Sequence, residues 1–171
     1  MVLFTENGWV WLDHSEDAYI PVKMVAQKGE KILAKAVDGT QYELDVAQNY
    51  REVHPSSLKP VENMVSMEEL SEAAILHNLR LRFDENLIYT HISSILVSIN
   101  PFKQLAIYSP AIMREYREKM ARMEHIAPHV YALADNAYKN LRTDNENQSV
   151  IISGESGAGT EYEIEKQEVC V

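Results

Sequence analysis

The stretch SVIISGESGAGTEYEIEKQ, from Ser149 to Gln167, decides how the fold of this chain is interpreted. It contains a loop with glycines at Gly154, Gly157 and Gly159. Gly154 and Gly159 have the spacing of the phosphate-binding pattern G-x-x-x-x-G-K-[ST], but Thr160 stands where that pattern has lysine. The spacing alone leaves three alternatives: a nucleotide site, a nucleotide site that has been disabled, and a surface turn.

The composition indicates a globular protein, since 46% of the 171 residues are hydrophobic and 25% are charged. The net charge of −10 argues against nucleic acid or an anionic membrane as a partner. The single cysteine, Cys170, excludes an intramolecular disulfide and suits a reducing compartment. No apolar run approaches the roughly 18 residues of a membrane span, and the N-terminus lacks a signal-peptide pattern. We therefore expect a cytoplasmic protein without a membrane span.

The first part of the chain is predicted to be an all-β unit. Short strand patterns are separated by turn signals, and Asp38-Gly39 between two such patterns is a strong hairpin signal. Four or five strands within about 45 residues suggest a small closed barrel over residues 5–50. The alternative is a small meander that packs on something larger. The strand patterns lie at 9–12, 18–26, 31–37 and 41–44.

The next segment is predicted to be a linker followed by a helix. Pro55 and Pro60, with two serines between them, indicate a linker within 53–63. Ser66 and Glu69 form the S-x-x-E pattern of a capping box, so a helix is predicted to begin there.

Two buried strands and two more helices are predicted further along. The run SSILVSI, residues 93–99, is typical of a strand buried on both faces. Val150–Ile152 is predicted to be the strand that leads into the glycine loop. Ser109-Pro110 is predicted to open one helix, with serine as the N-cap, and Pro128 to open the other.

Several stretches, in the same order, resemble the motor domain of the myosin family. GESGAG at 154–159 resembles its phosphate loop, whose usual form is GESGAGKTE. NPFKQLAIYSP at 100–110 resembles its adenine-binding loop. The segments at 76–101 and 128–141 resemble the helices and strand that surround these loops, and residues 5–50 are similar to the SH3-like subdomain before many myosin motors.

The resemblance implies a mixed α+β and α/β fold. An SH3-like barrel at 5–50 would precede an incomplete P-loop NTPase motor core at 61–171. Without the resemblance, Asn100-Pro101 would be interpreted as a strand terminator and Tyr108 as a packed aromatic. With it, the predicted adenine contacts are Asn100, Pro101, Lys103 and Tyr108. The predicted phosphate contacts are Gly154, Glu155, Ser156, Gly157, Ala158, Gly159 and Thr160, with Thr160 also as the Mg²⁺ ligand.

The resemblance also implies partners and a cellular place. The parent protein would be an ATP-driven motor of the cytoskeleton that binds ATP, Mg²⁺ and actin filaments. The family's switch loops and actin-binding surface have no counterpart in these residues, so the chain resembles a truncated heavy chain and is expected to lack motor activity by itself. The alternative is a non-enzymatic interaction module built on the barrel.

The end of the chain departs from the family pattern. With the lysine missing, Thr160 would take its position and Glu161 would take that of the hydroxyl residue. The alternating start of EYEIEKQEVCV, residues 161–171, favours a strand or an irregular tail over a helix. Its four glutamates oppose phosphate binding.

No further catalytic or metal-binding set is predicted. His125 and His129 lie four residues apart, a spacing seen in metal sites. Pro128 lies between them, however, and no third ligand is nearby in the sequence, so a metal site there is disfavoured.

Overall fold

The computed structural model describes residues 8–160 and 162–164. These residues form two compact units that divide after Arg82. No helix in the described part of the chain is both long enough and apolar enough to cross a lipid bilayer.

The first unit is built on a curled antiparallel sheet of four strands, each hydrogen-bonded to the next along the chain. Alternate side chains point inward and form one apolar core, which includes Val22, Ile32 and Leu44. The all-β prediction is confirmed, but the sheet is an open half-barrel and not the closed barrel that the sequence suggested. The strands are β1 (Trp9–His14), β2 (Ala18–Lys28), β3 (Lys31–Ala36) and β4 (Gln41–Asp45).

Residues 51–53 extend this sheet along the other edge of β1. The backbone N–H of Trp11 donates to the carbonyl of Arg51 over 2.8 Å, and that of Val53 donates to the carbonyl of Trp9 over 3.0 Å. Strand β1 therefore has neighbours on both edges, although one of them comes from about forty residues later in the chain.

The segment predicted to be a linker is instead packed structure, so that prediction is wrong. Val53, Ser57 and Met64 are fully buried. Short 3-10 turns span Pro55–Leu58 and Met64–Ser66. Proline suits the first turn of a helix because its fixed φ is already helical and its missing N–H is not needed there.

The predicted helix begins later than its expected capping box. Helix α1 spans Glu72–Asp84, and the Ser71 hydroxyl accepts a hydrogen bond of 3.3 Å from the Ala74 N–H. Ser66 instead donates its hydroxyl to the Asn63 carbonyl over 2.8 Å. The capping-box prediction is wrong because Ser66 is used in the preceding 3-10 turn, and Ser71 then caps α1 in its place.

The second unit combines a two-stranded hairpin with two helices. Strands β5 (Tyr89–Ile92) and β6 (Ile95–Ser98) pair antiparallel, and helices α2 (Pro110–Ala121) and α3 (Val130–Asp144) follow. The prediction for α2 is confirmed, since Ser109 accepts a hydrogen bond from the Ile112 N–H and Pro110 occupies the first turn. Helix α3 begins two residues after Pro128, with His129 as its N-cap.

Both predicted central strands differ from the structure. Residues 93–99 do not form one strand, because Ser93, at φ 56°, turns the chain between β5 and β6. Ile95 in β6 is 64% exposed, so this strand is not buried on both faces. Residues 150–152 have no strand geometry, and Ile151 is 90% exposed. Within the described residues β6 pairs only with β5, and an apolar run forms a strand only where a neighbour supplies its hydrogen bonds.

Candidate functional site

A cleft of about 270 Å³ opens in the second unit, between the loop that follows β6 and the glycine loop. The structure brings together residues that the sequence analysis selected from two distant stretches. All four predicted adenine contacts line the cleft, and so do two of the predicted phosphate contacts. These six residues are Asn100, Pro101, Lys103, Tyr108, Ala158 and Gly159.

The side chain of Asn100 connects the two loops. Its Nδ2 donates to the carbonyl of Gly157 over 2.8 Å, and its Oδ1 accepts from the N–H of Phe102 over 2.9 Å. An asparagine amide offers both a donor and an acceptor, and both are used here. Pro101, next in the chain, lines the cleft beside it.

The glycine loop is organised by a turn. The Ala158 N–H donates to the Glu155 carbonyl over 3.0 Å, and Gly157, the third residue of this turn, has φ 87°. That geometry is typical of a type II turn, which favours glycine at this position. Gly159, at φ 88°, accepts at its carbonyl from the N–H of Glu163 over 3.1 Å.

The residues after this turn are helical where the structure describes them, namely at 160 and 162–164. The prediction of a strand or irregular tail is therefore wrong for these residues, since the Gly159 carbonyl accepts the first helical hydrogen bond. Glu161 and residues 165–171 lie outside the described residues.

Two residues that the sequence analysis did not select, Ser98 and Glu163, also line the cleft, and Glu163 is hydrogen-bonded to Tyr89. Glu163 accepts hydrogen bonds from the Tyr89 hydroxyl over 2.7 Å and from the Ser98 hydroxyl over 2.9 Å. The Tyr89 and Tyr108 hydroxyl oxygens are 2.8 Å apart. Glu163 lies 74 residues from Tyr89 in the chain and carried no motif signal, so only the folded arrangement shows the group.

Burial raises the pKa values of the two hydrogen-bonded tyrosines, Tyr89 and Tyr108. Desolvation raises the pKa of Tyr89 far above its usual value, and the nearby Glu163 carboxylate, to which Tyr89 donates a hydrogen bond, adds to that effect. Desolvation likewise raises the pKa of Tyr108 to about 12. Both hydroxyl groups therefore keep their protons near neutral pH and remain available as donors.

His129 is the structural centre of the aromatic residues behind the cleft. Its Nδ1 accepts from the Tyr131 N–H over 3.0 Å, and its Nε2 lies 3.1 Å from the Ile107 carbonyl, so Nε2 carries the proton. Burial lowers the pKa of His129 to about 4. Both ring nitrogens of His129 are used in hydrogen bonds to the backbone, so this side chain is not arranged as a metal ligand. The side chain of His125 is exposed.

Sequence comparison assigns the family. Residues 61–166 match the family model described as the myosin head (motor domain). The chain belongs to the myosin family. The match includes both loops of the cleft and continues past Gly159 into the residues that contain Glu163.

Relatives from several animals extend this result over nearly the whole chain. Myosin-VIIa of Drosophila melanogaster is 37% identical over 163 residues, which is 93% of this chain and 7% of that protein. Unconventional myosin-Vc of Homo sapiens is 40% identical over 170 residues, 92% of this chain and 9% of that protein. Unconventional myosin-Ic of Aquarana catesbeiana is 53% identical over 100 residues, 58% of this chain and 10% of that protein. The chain thus spans about a tenth or less of the length of these relatives.

Myosins use ATP and Mg²⁺, and the two ends of this cleft fit such a ligand differently. The part of the lining formed by Pro101, Leu105 and Tyr108 is apolar and aromatic, which suits a planar ring. At the other end the loop has no lysine, and Glu163 places a carboxylate in the cleft. Thr160, the predicted Mg²⁺ ligand, does not line the cleft but an adjoining groove beside Ile152, which shares Ser98, Ala158 and Glu163 with the cleft. The side of this cleft formed by the glycine loop and Glu163 therefore does not fit a Mg²⁺-bound triphosphate.

The remaining predicted phosphate contacts shape the loop and do not line the cleft. Gly154 leaves room for its neighbours, because a Cβ there would lie 2.8 Å from both Ala158 Cβ and Thr160 Oγ1. Gly157 provides the turn, and Glu155 and Ser156 are exposed. Among the described residues, no three His, Cys, Asp or Glu side chains are close enough together to hold a metal ion.

Proposed function

We propose that this chain supplies the purine side of the nucleotide cleft in a myosin motor. The observation that carries the proposal is the convergence of Asn100, Pro101, Lys103 and Tyr108 with the glycine loop around one cleft. These residues come from segments about fifty residues apart, and the hydrogen bond from Asn100 to Gly157 joins them directly. The family match over 61–166 supports the same assignment.

The wider function follows from the family and belongs to the same proposal. The whole protein would be an ATP-driven motor that moves on actin filaments in the cytoplasm as part of the cytoskeleton. The half-barrel would be its SH3-like subdomain, and residues 61–171 the beginning of its P-loop NTPase core. A polypeptide of these 171 residues is expected to show no actin-stimulated ATP turnover, because its phosphate loop lacks lysine.

The experiment that tests the purine site is a titration of the ¹⁵N-labelled chain with adenosine. We expect the backbone amides of Asn100, Lys103, Tyr108 and Gly159 to shift together with one saturation curve. Amides on the exposed side of α2, such as that of Glu118, should not move and serve as the internal control. Replacing Tyr108 by alanine should weaken binding at least tenfold, since it removes an aromatic wall of the cleft. Unchanged cleft amides at millimolar adenosine would contradict the proposal.

A further inference from the structure

The carboxylate of Glu163 lies in the same cleft as the predicted purine contacts. We propose that Glu163 is a specificity-determining residue that makes this cleft bind an uncharged purine nucleoside in preference to a nucleoside phosphate. The inference rests on the proposed function, because it takes the cleft to be a purine site. It adds the class of ligand, which follows from the contacts of Glu163.

The hydrogen bonds around Glu163 form a relay with a fixed direction. Tyr89 has a single hydroxyl hydrogen, and it donates this hydrogen to Glu163 over 2.7 Å. The 2.8 Å contact between the two tyrosine oxygens must therefore be a hydrogen bond donated by Tyr108. Tyr108 donates to Tyr89, and Tyr89 donates to Glu163.

This relay holds the carboxylate in place. Ser98 supplies a second donor to Glu163 over 2.9 Å, so each carboxylate oxygen has a hydroxyl partner. Two hydroxyl donors directed at different oxygens of one carboxylate hold it in a single orientation. If Glu163 turned out of the cleft, it would break its hydrogen bond with the Tyr89 hydroxyl, which belongs to a residue only 3% exposed.

The charges around the cleft disfavour phosphate. Among the described residues that line it, Lys103 and Glu163 are the charged ones, and their charges have opposite sign. The glycine loop at 153–160 contributes Glu155 and no cation. A bound triphosphate would bring several negative charges close to a fixed carboxylate with one lysine to offset them. A nucleoside brings none of these charges.

The walls of the cleft suit a flat, uncharged ring. Pro101, Leu105 and Ile88 supply apolar surface, and the rings of Tyr108 and Tyr162 meet edge to face with centroids 5.3 Å apart. Planar heteroaromatic rings pack well on such surfaces, and they need few polar contacts for orientation. The part of a nucleotide that this cleft accommodates is therefore the base with its sugar.

The test compares adenosine with ATP on the whole chain and on two variants, by titration calorimetry in one buffer of fixed ionic strength. Glu163→Gln removes the charge but keeps the size and the acceptor oxygen. Glu118→Gln, at an exposed position of α2 outside the cleft lining, changes the net charge by the same amount and is the matched control. We expect the parent chain to bind adenosine at least tenfold more tightly than ATP. Glu163→Gln should reduce this ratio at least tenfold, mainly by tightening ATP, and Glu118→Gln should leave it unchanged.

Two results would overturn the inference while leaving the purine site intact. One is a parent chain that binds ATP as tightly as adenosine. The other is a Glu163→Gln variant in which both ligands change by the same factor, which would indicate a structural role only. If Glu163→Gln does not fold, the ratio of adenosine affinity to ATP affinity in the parent chain still tests the preference for the nucleoside. If neither adenosine nor ATP binds the parent chain, that result would instead contradict the proposed function, and the inference that rests on it.

Discussion

Asn100 donates a hydrogen bond of 2.8 Å from its side-chain amide to the backbone carbonyl of Gly157, a residue 57 positions later in the chain. Its other amide atom accepts from the N–H of Phe102 over 2.9 Å. The two loops of the cleft are thus joined by one side chain, and the glycine loop is held by a residue of the loop that follows β6.

Replacing Asn100 by aspartate should loosen the glycine loop. The substitution keeps the acceptor for Phe102 but removes the donor to Gly157, and a lost hydrogen bond of this kind costs about 1 kcal/mol. We expect roughly fivefold faster hydrogen exchange at the Ala158 amide, whose own bond to Glu155 lies in the same turn. Asn136→Asp on the exposed side of α3 is the control. Equal exchange in both variants would show that the contact does not restrain the loop.

Two glycines of the loop should be intolerant of alanine for different reasons. Gly154→Ala places a Cβ 2.8 Å from Ala158 and Thr160 atoms, so neighbouring groups must move. Gly157→Ala meets no atom within 4 Å but forces a φ of 87° on an L-residue. We expect each change to cost about 1–2 kcal/mol of unfolding free energy, measured by urea denaturation. Gly157→Asn should cost less than Gly157→Ala, because asparagine tolerates positive φ. A similar cost for Ala and Asn at this position would contradict the turn assignment.

The second unit should lose stability between pH 7 and pH 5 because of His129. Its pKa is lowered to about 4 in the folded chain, so below the ordinary histidine value near 6.5 the unfolded chain binds the extra proton. The contribution of His129 to the free energy of unfolding is therefore present above about pH 6.5. It is lost as the pH is lowered, and the loss is about 2 kcal/mol at pH 5. His129→Asn keeps an N-cap acceptor but should remove most of this slope, whereas the exposed His125→Asn should not. His77, whose pKa burial also lowers, lies in the first unit and is unchanged in both variants. Equal slopes for the two variants would refute the assignment to His129.

A lysine at position 160 should improve ATP binding by restoring a cation where the family pattern has one. Thr160→Lys is preferable to an insertion because it leaves Glu163 in its present helical position. We expect ATP to bind at least tenfold more tightly, which is about 1.4 kcal/mol, while adenosine binding stays unchanged. Thr160→Met, of similar length without charge, is the control. An equal gain with methionine would indicate a packing effect in place of a charge effect.

Local patterns in the sequence predicted the features that depend on local chemistry. The antiparallel strands, their turn at Asp38-Gly39 and the Ser109 cap of α2 each depend on residues within a few positions of one another. The two loops of the cleft were found by resemblance to a family, because no local rule connects Asn100 with the glycine loop.

The features that sequence reasoning missed depend on distant partners. SSILVSI has the composition of a buried strand, but burial depends on neighbouring strands, and among the described residues only β5 pairs with β6. Ser66 has the spacing of a cap, yet it hydrogen-bonds within an earlier turn. Glu163 had no signal as a cleft residue, because its hydroxyl partners Tyr89 and Ser98 lie 74 and 65 residues away.

The addition of residues 51–53 to the edge of β1 affects the order in which the first unit can form during synthesis. Strands β1 to β4 are joined by short turns and can pair one after another as they leave the ribosome. The outer edge of β1 stays without a partner until Val53 has emerged and can donate to Trp9. An unpaired strand edge is a template for pairing with other chains. The nascent chain therefore carries such an edge from the first hairpin until residue 53, and a pause in translation before that residue would prolong its exposure to chaperones and to neighbouring nascent chains.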